Sequence, residues 1–363
     1  MIVGVPTEIK EGENRVALTP ACVRALLAEG HQTLIQAGAG LHSGLEDKDF
    51  VAAGATIVDT AEEVYASAAM VVKVKEPLPS EYPLLRPGLI LFTYLHLASS
   101  RELTQALVDA GVSAVGYETI QLPKGRLPLL VPMSEVAGRL APQFGAACLD
   151  AHMGGRGVLL GGVPGVPPAE VVIIGCGEVG LNAAKVAMGM GAHVTVLDVD
   201  HERLRYLDDI MHGNLITVNA NPLTIARACA YADLVIGAVL IPGARAPRLV
   251  TEEMVREMRP GAVIVDVSID QGGCVETSEL TTHAHPVIVK HGVLHYGVPN
   301  MPAAVPRTST FALANATCPY VVRIASAGLS QAAAEDPAIA AGINVAHGRI
   351  MHPAVARAFA AAA

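Results

Sequence analysis

Residues 171–180, Val-Val-Ile-Ile-Gly-Cys-Gly-Glu-Val-Gly, constrain this chain more than any other stretch. The apolar run Val171–Ile174 predicts a short strand buried on both faces. Gly175, Gly177 and Gly180 follow at once in a G-x-G-x-x-G spacing, and Leu181–Ala187 then reads as a helix. In such a turn the first glycine permits the tight bend. The second lets the backbone approach a pyrophosphate, and the third lets the helix pack close to the strand. The helix N-terminus then presents N–H groups and the positive end of its dipole to the phosphates. Asp198, 18 positions beyond Gly180, ends the next predicted strand. Its carboxylate can accept hydrogen bonds from ribose hydroxyls, and its charge would repel a 2′-phosphate. Three glycines alone are a weak signal. A strand before them, a helix after them and an acid at this distance predict a dinucleotide site, with NAD favoured over NADP. Arg203 and Arg205, just downstream, soften that preference. Glu178 is an awkward neighbour for a pyrophosphate unless its side chain points to solvent.

The same rhythm of short apolar strands and longer helical stretches runs through most of the chain. The first third predicts strands at Ile2–Val5, Gln32–Gln36, Thr56–Val58, Met70–Val74, Leu89–Tyr94 and Val112–Tyr117. Helices fall between them at Pro20–Glu29, Ala61–Ala66 and Ser99–Ala110. After a Pro- and Gly-rich break at 121–132, a long helix is predicted over Ser134–His152, with Pro142 inside it. Gly154–Pro168 reads as a loop. A second series follows, with strands at Val171–Ile174, His193–Leu197, Leu215–Val218, Leu234–Gly237, Val263–Asp266 and Val293–Tyr296. Beyond Arg307 the chain turns alanine-rich and reads as helical. The pattern predicts the α/β class, with two doubly wound parallel-sheet domains of which the second is a Rossmann dinucleotide-binding domain.

Bulk properties exclude several function classes. The net charge is −9, aromatic residues make up 4% and Trp is absent, so neither a surface for nucleic-acid phosphate backbones nor a base-stacking platform is indicated. The longest charge-free apolar stretch, between Arg86 and Arg101, is broken by Pro87, Gly88 and His96 and is too short for a membrane span. The first residues run straight into a strand pattern rather than a signal peptide. The six cysteines form no zinc spacing and are predicted to be small buried hydrophobes in a reducing compartment. A soluble, cytoplasmic protein with no nucleic-acid or membrane partner is expected.

Candidate chemistry lies at predicted strand ends, where doubly wound sheets bind ligands. Arg15 follows the first strand and could hold a carboxylate through two charge-assisted bonds, although alone it reads as a surface charge. Lys75 ends the strand begun at Met70 and could polarise a carbonyl or simply be solvated; Lys73 is predicted to share its face. His96 follows an almost wholly apolar strand and reads equally as a core histidine or a proton shuttle. Asp266 and Asp270 compete at the end of the fifth strand of the second series, and Asp270, deeper in the loop, is favoured to reach a substrate.

These residues sit in a pattern that resembles the alanine dehydrogenase and pyridine nucleotide transhydrogenase family over essentially the whole chain. The resembling stretches are Val3–Lys10, Arg15–Pro20, Pro132–Arg139, Gly154–Val166, Ile269–Cys274, Asn300–Pro302 and Pro306–Thr310. The resemblance implies NAD-dependent oxidative deamination of L-alanine to pyruvate and ammonium, and the reverse. It implies that Arg15 and Lys75 bind substrate and that His96 and Asp270 do proton work. It also implies NAD contacts at Ser134, Gly175, Gly177, Glu178, Val179, Gly180, Asp198, Arg203, Val239 and Leu240. Further contacts are implied at Val267, Ser268, Ile269 and Asp270, and at Val298, Pro299, Asn300 and Met301. Ala220 stands where relatives often carry a cofactor-contacting serine. Some relatives bind magnesium near the C-terminal helix, but Arg323 and Ala327 occupy the corresponding positions here and no metal is expected. The implied domains are 1–130 plus 308–363 for substrate and 131–307 for NAD, the second inserted in the first. The implied assembly is a homohexamer. Other readings are the nucleotide-binding part of a proton-translocating transhydrogenase, a non-catalytic NAD or amino-acid sensor, and a dehydrogenase for a larger amino acid.

Overall fold

The computed structural model describes residues 1–239 and 245–361. The chain forms two compact units, Met1–Met133 with Val305–Ala363, and Ser134–Ala304. In the first unit, strands β1 (Ile2–Val5), β2 (Gln32–Gln36), β3 (Thr56–Val58), β4 (Met70–Val72), β5 (Ile90–Thr93) and β6 (Ser113–Gly116) run parallel. Their spatial order is β3-β2-β1-β4-β5-β6. The winding reverses between β1 and β4, so the carboxyl ends of those two strands diverge into loops at a topological switch point. β4 and β5, buried along their whole length, read as near-continuous apolar runs because helices cover both faces. Gly4 shows how closely: a Cβ there would lie 2.6 Å from Val64 Cγ1, on the helix Ala61–Ser67.

Several boundaries of this unit shift by one residue from the sequence prediction, and two differ by more. β4 stops at Val72 rather than Val74, because Val74 gives its N–H to the Glu8 carboxylate at 2.5 Å. The helix predicted from Ser99 is split into a single turn at Leu97–Ser99 and a helix Arg101–Asp109, which Ser100 caps by accepting the Leu103 N–H.

The second unit begins within the helix Val131–Leu149, which runs unbroken past Pro142. It then builds β7 (Glu170–Ile174), β8 (His193–Asp198), β9 (Leu215–Asn219), β10 (Leu234–Gly237), β11 (Val263–Asp266), β12 (Val287–Lys290) and β13 (Val293–Tyr296). The sheet order is β12-β13-β11-β10-β7-β8-β9. Without β12 this is the 3-2-1-4-5-6 order of a dinucleotide fold. β12 is antiparallel to β13 and was not predicted. Its turn, His291-Gly292, has both φ angles positive at 52° and 77°, as a two-residue hairpin needs.

The C-terminal segment returns to the first unit. Helices Pro306–Ala327, Leu329–Glu335 and Pro337–Gly342 precede β14 (Ile343–Ala346), β15 (Arg349–Ile350) and the helix Pro353–Ala361. The purely helical expectation for this segment is therefore corrected. β14 pairs antiparallel with β6 and extends the sheet to eight strands. The run Ile-Asn-Val-Ala is too short and alanine-flanked to register as a strand. It is fixed by its partner and by Asn344, whose buried amide donates to Thr119 Oγ1 and Gly342 O.

The cysteine expectation also changes. Cys22, on the helix Pro20–Ala28, is disulfide-bonded to Cys318 on the helix Pro306–Ala327, with Cα atoms 5.7 Å apart across 296 residues of sequence. No local spacing could announce such a pair. Cys148, Cys176, Cys229 and Cys274 are buried thiols. Among the described residues no helix is long and apolar enough to cross a membrane.

Candidate active site

In the first unit, functional side chains gather just beyond β1, β4, β5 and β6. Arg15, which alone reads as a surface charge, is 2% exposed. Its Nε and Nη2 donate to the two carboxylate oxygens of Glu13 at 2.6 and 2.5 Å, and Nη1 approaches Met133 Sδ at 2.9 Å. The fork geometry sets the guanidinium in one plane. Burial alone would raise the Glu13 carboxyl, but its bonds to Arg15 outweigh that and hold it below the ordinary range.

Lys73 and Lys75 lie in different surroundings. The Lys73 ammonium is buried, 2.9 Å from Glu81 Oε1 and 3.4 Å from Glu8 Oε2, and Tyr65 donates its hydroxyl to the same Glu81 oxygen. Burial opposes the Lys73 charge, yet the two carboxylates more than offset it. Lys73 is thus committed to a buried ionic knot. Lys75 is only partly buried, and burial, with Arg15 and Lys10 as like charges, pushes its ammonium down from the usual range. Glu8 holds the backbone on both sides of this change, accepting the Val74 N–H and, at 3.4 Å, the Lys75 N–H.

His96 is exposed rather than a core histidine. Its backbone is left-handed, with φ 50° and ψ 34°. Its ring lies parallel to that of Tyr94, 9° from coplanar orientation with centroids 6.0 Å apart. Tyr94 is itself buried and donates its hydroxyl to Leu129 O at 2.6 Å. Beyond β6, Glu118 accepts the N–H groups of Leu95 and His96. Sequence reasoning passed over Glu8, Glu13, Tyr94, Glu118 and Met133. Glu13 had a local clue, an acid two residues before the arginine; the others meet their partners only through the sheet.

In the second unit the three glycines are not equivalent. Gly175 has φ 102°, and a Cβ there would lie 2.5 Å from Ala238 O. At Gly180 a Cβ would lie 1.8 Å from Gly175 O. Both positions are therefore glycine because the turn itself demands it. Gly177 is different: its φ is −77°, and a Cβ would meet nothing nearer than Arg203 Nη1 at 4.0 Å. Neither backbone nor packing requires glycine there, which fits a bulky group approaching from outside. The helix Glu178–Gly189 starts at Gly177 with no side-chain cap, as a phosphate-binding N-terminus should. Glu178 is exposed.

Asp198 is 8% exposed and already braces the turn, accepting the Cys176 N–H at 2.5 Å and the Asp200 N–H at 2.8 Å. Each carboxylate oxygen keeps a second acceptor site suited to a ribose hydroxyl. Asp200 caps the helix His201–Ile210 and lies 3.4 Å from Arg203 Nε. Ala220 donates its N–H to Asp198 O, and its methyl packs against the apolar core. These features together fit an adenosine diphosphate group.

Asp266 and Asp270 separate clearly. Asp266 is 1% exposed and accepts N–H groups from Ser268, Cys274 and Val275, so it shapes the loop. Burial pushes its carboxyl up against those bonds. Asp270 projects from the turn Val267–Gln271, and its Oδ2 accepts the Asn300 N–H at 3.2 Å. Asn300 is left-handed at φ 53°, between partly buried Pro299 and buried Met301. The Ser268 hydroxyl is committed to the backbone of Val239, accepting its N–H at 3.0 Å and donating to its carbonyl at 2.7 Å. Ile269 and Val298 are buried; Ser134, Val179 and Val267 are half-buried. Leu240 lies outside the described residues.

The chain matches the alanine dehydrogenase/PNT N-terminal domain over residues 4–137 and the alanine dehydrogenase/PNT C-terminal domain over 141–353. It belongs to the alanine dehydrogenase/PNT family. Within that family it is 58% identical over 359 residues to the alanine dehydrogenase of Bacillus subtilis strain 168, covering 98% of this chain and 94% of that one. It is 56% identical over 359 residues to the alanine dehydrogenase of Methanococcus maripaludis, covering 99% and 96%. A solved L-alanine dehydrogenase superposes with a TM-score of 0.97 at 53% identity over all of both chains. A transhydrogenase from Sinorhizobium meliloti superposes at 0.84 with 26% identity, covering 98% of this chain and 100% of that one. The family fold is thus shared by both branches, while sequence identity separates them.

Proposed function

We infer that the chain is an NAD-dependent L-alanine dehydrogenase, converting L-alanine, NAD⁺ and water to pyruvate, ammonium, NADH and a proton, and running in reverse. The supporting observation is full-length identity of 58% to a curated alanine dehydrogenase against 26% to the transhydrogenase. Bound NAD⁺ supplies the acceptor for the hydride leaving the substrate Cα. In this reading the Gly175–Gly180 turn, Asp198 and Arg203 hold the adenosine and pyrophosphate end. Ser134, Glu178, Val179, Ala220, Val239, Leu240, the loop 267–270 and the segment 298–301 complete the contacts. The second unit is the NAD domain, and the first is the substrate domain.

Arg15, planar and pinned by Glu13, receives the substrate carboxylate. Lys75, in its cationic form, stabilises negative charge on the carbonyl oxygen as it forms. The amine must lose a proton before hydride leaves, and water must then add to the resulting iminium and the carbinolamine collapse. His96 shuttles these protons from its exposed position, and Asp270 orients the amine or the water. The protein acts in the cytoplasm as a homohexamer.

His96→Ala and Asp270→Ala should each cut turnover about 10²–10⁴-fold while NADH still binds. Wild-type rates in both would remove them from the chemistry. Ammonium- and pyruvate-dependent NADH oxidation by the purified protein decides against a transhydrogenase component or a sensor, neither of which would show it. A panel of 2-oxo acids reads the size limit of the substrate.

A further inference from the structure

Parallel pairing of β5 with β6 ends at Thr93 and Gly116. The chain after β5 nevertheless carries on through Tyr94 and Leu95 to His96, and its N–H groups still need acceptors. Glu118, two residues past the end of β6, supplies them. Its Oε1 accepts from Leu95 N at 3.1 Å and from His96 N at 2.7 Å, and its Oε2 accepts from Leu95 N at 3.2 Å. The carboxylate thus replaces the carbonyls that a longer β6 would have offered.

This anchoring coincides with an uncommon backbone. His96 is one of four described non-glycine residues with positive φ. The other three include His291 and His347, which sit in two-residue hairpin turns followed by glycine. His96 has no such turn to require its conformation; it joins a buried strand to the single turn Leu97–Ser99. Strained backbone of this kind persists where surrounding contacts over-determine it and clusters at functional sites. Here the contacts come from both sides. Glu118 takes the N–H, while the His96 carbonyl accepts the Ser99 N–H at 3.0 Å and the Ser99 hydroxyl at 2.8 Å. The result is an imidazole laid parallel to the Tyr94 ring. An extended or right-handed residue 96 would send its side chain in another direction.

We propose that Glu118 is the positioning residue of the proton shuttle, holding His96 in its left-handed conformation so that the imidazole faces the substrate. This rests on the reading of His96 as the shuttle. Glu118 meets only backbone N–H groups of this segment, so it acts through His96 and is not itself a proton donor.

The test is steady-state kinetics in the pyruvate-aminating direction on the full-length enzyme, with Glu118→Ala, Glu118→Asp, Glu118→Gln and His96→Ala singly, and Glu118→Ala with His96→Ala together. Misplacing a reacting group by about 1 Å costs on the order of 10²-fold. Glu118→Ala should lower kcat about 10–100-fold while leaving the KM for pyruvate within about twofold, because Arg15 and Lys75 are untouched. Glu118→Asp, which keeps the charge but withdraws it by one methylene, should fall by at least about tenfold. Glu118→Gln keeps an oxygen at the Oε1 position and should recover to within about fivefold of wild type. In the His96→Ala background the Glu118→Ala change should cost nothing more. Wild-type kcat in Glu118→Asp, or full additivity of the double variant, overturns the proposal. If His96→Ala itself turns over normally, the shuttle reading falls; if His96→Ala is crippled while Glu118→Ala is normal, only the role of Glu118 falls.

Discussion

Replacing Gly177 and Gly180 separately by alanine separates ligand approach from fold. At Gly177 the backbone, φ −77° and ψ −166°, is open to alanine, and the nearest atom to the new methyl is Arg203 Nη1 at 4.0 Å. The folding cost is only that of alanine at a helix N-cap, about 0.5–1 kcal/mol. The new methyl projects toward the side from which a pyrophosphate would come. Losing one charge-assisted backbone bond to phosphate costs about 1.5–3 kcal/mol, which is about 10- to 150-fold in NADH affinity. At Gly180 the same methyl would lie 1.8 Å from Gly175 O, so the helix must shift away from the strand. Overpacking of that kind costs about 1–3 kcal/mol of stability before any ligand is considered. NADH fluorescence titration and nucleotide-free denaturation of both variants check the pair. Wild-type NADH affinity in Gly177→Ala would refute the close-approach argument, and equal destabilisation by both variants would refute the packing argument.

Removing Glu13 by Glu13→Ala leaves the buried Arg15 charge without its bidentate partner, and about 3–5 kcal/mol of stability in the first unit should be lost, read by urea denaturation. Because the folded Glu13 carboxyl titrates below its ordinary value of 4.5, its contribution is present above that pH and disappears as pH falls through the folded value. Glu13→Ala should therefore flatten the acid limb of the stability curve; an unchanged limb would count against the pair. Lys75 titrates below the ordinary 10.5, so its cation is lost at lower pH than that of a free lysine, and the pyruvate KM should begin to rise there. Lys75→Arg should move that rise upward, and an unmoved profile would assign it to another group. Asp198→Ala should weaken NAD binding and relax discrimination against NADP; it should also loosen the turn, since the Cys176 N–H loses its acceptor, which hydrogen exchange at Cys176 would report.

Much of the architecture was legible because its signals are local. Period, turn chemistry and a buried strand's composition are written in consecutive residues, which is why two series of parallel strands and the Gly-rich turn could be read directly. The His291-Gly292 hairpin was also local, but the pattern of continuous parallel strands masked it. The β14–β15 addition was not legible, because Ile343–Ala346 becomes a strand only when β6 lends it partners. Cys22 and Cys318 carry no mark of their pairing for the same reason.

The amino-acid sequence alone established that the chain holds a dinucleotide turn, and which residue types stand at the ends of its strands. Tertiary structure decided what those residues are free to do. Lys73 and Lys75 look alike in sequence, yet one is spent in a buried knot with Glu8 and Glu81 while the other stays partly exposed beside Arg15. Asp266 is buried and accepts three backbone N–H groups, while Asp270 is exposed and accepts one, from Asn300. His96 gains its orientation from a glutamate 22 positions away. Reactivity depends on burial and on hydrogen-bond partners, and both are properties of the neighbours in space, which a linear pattern does not name.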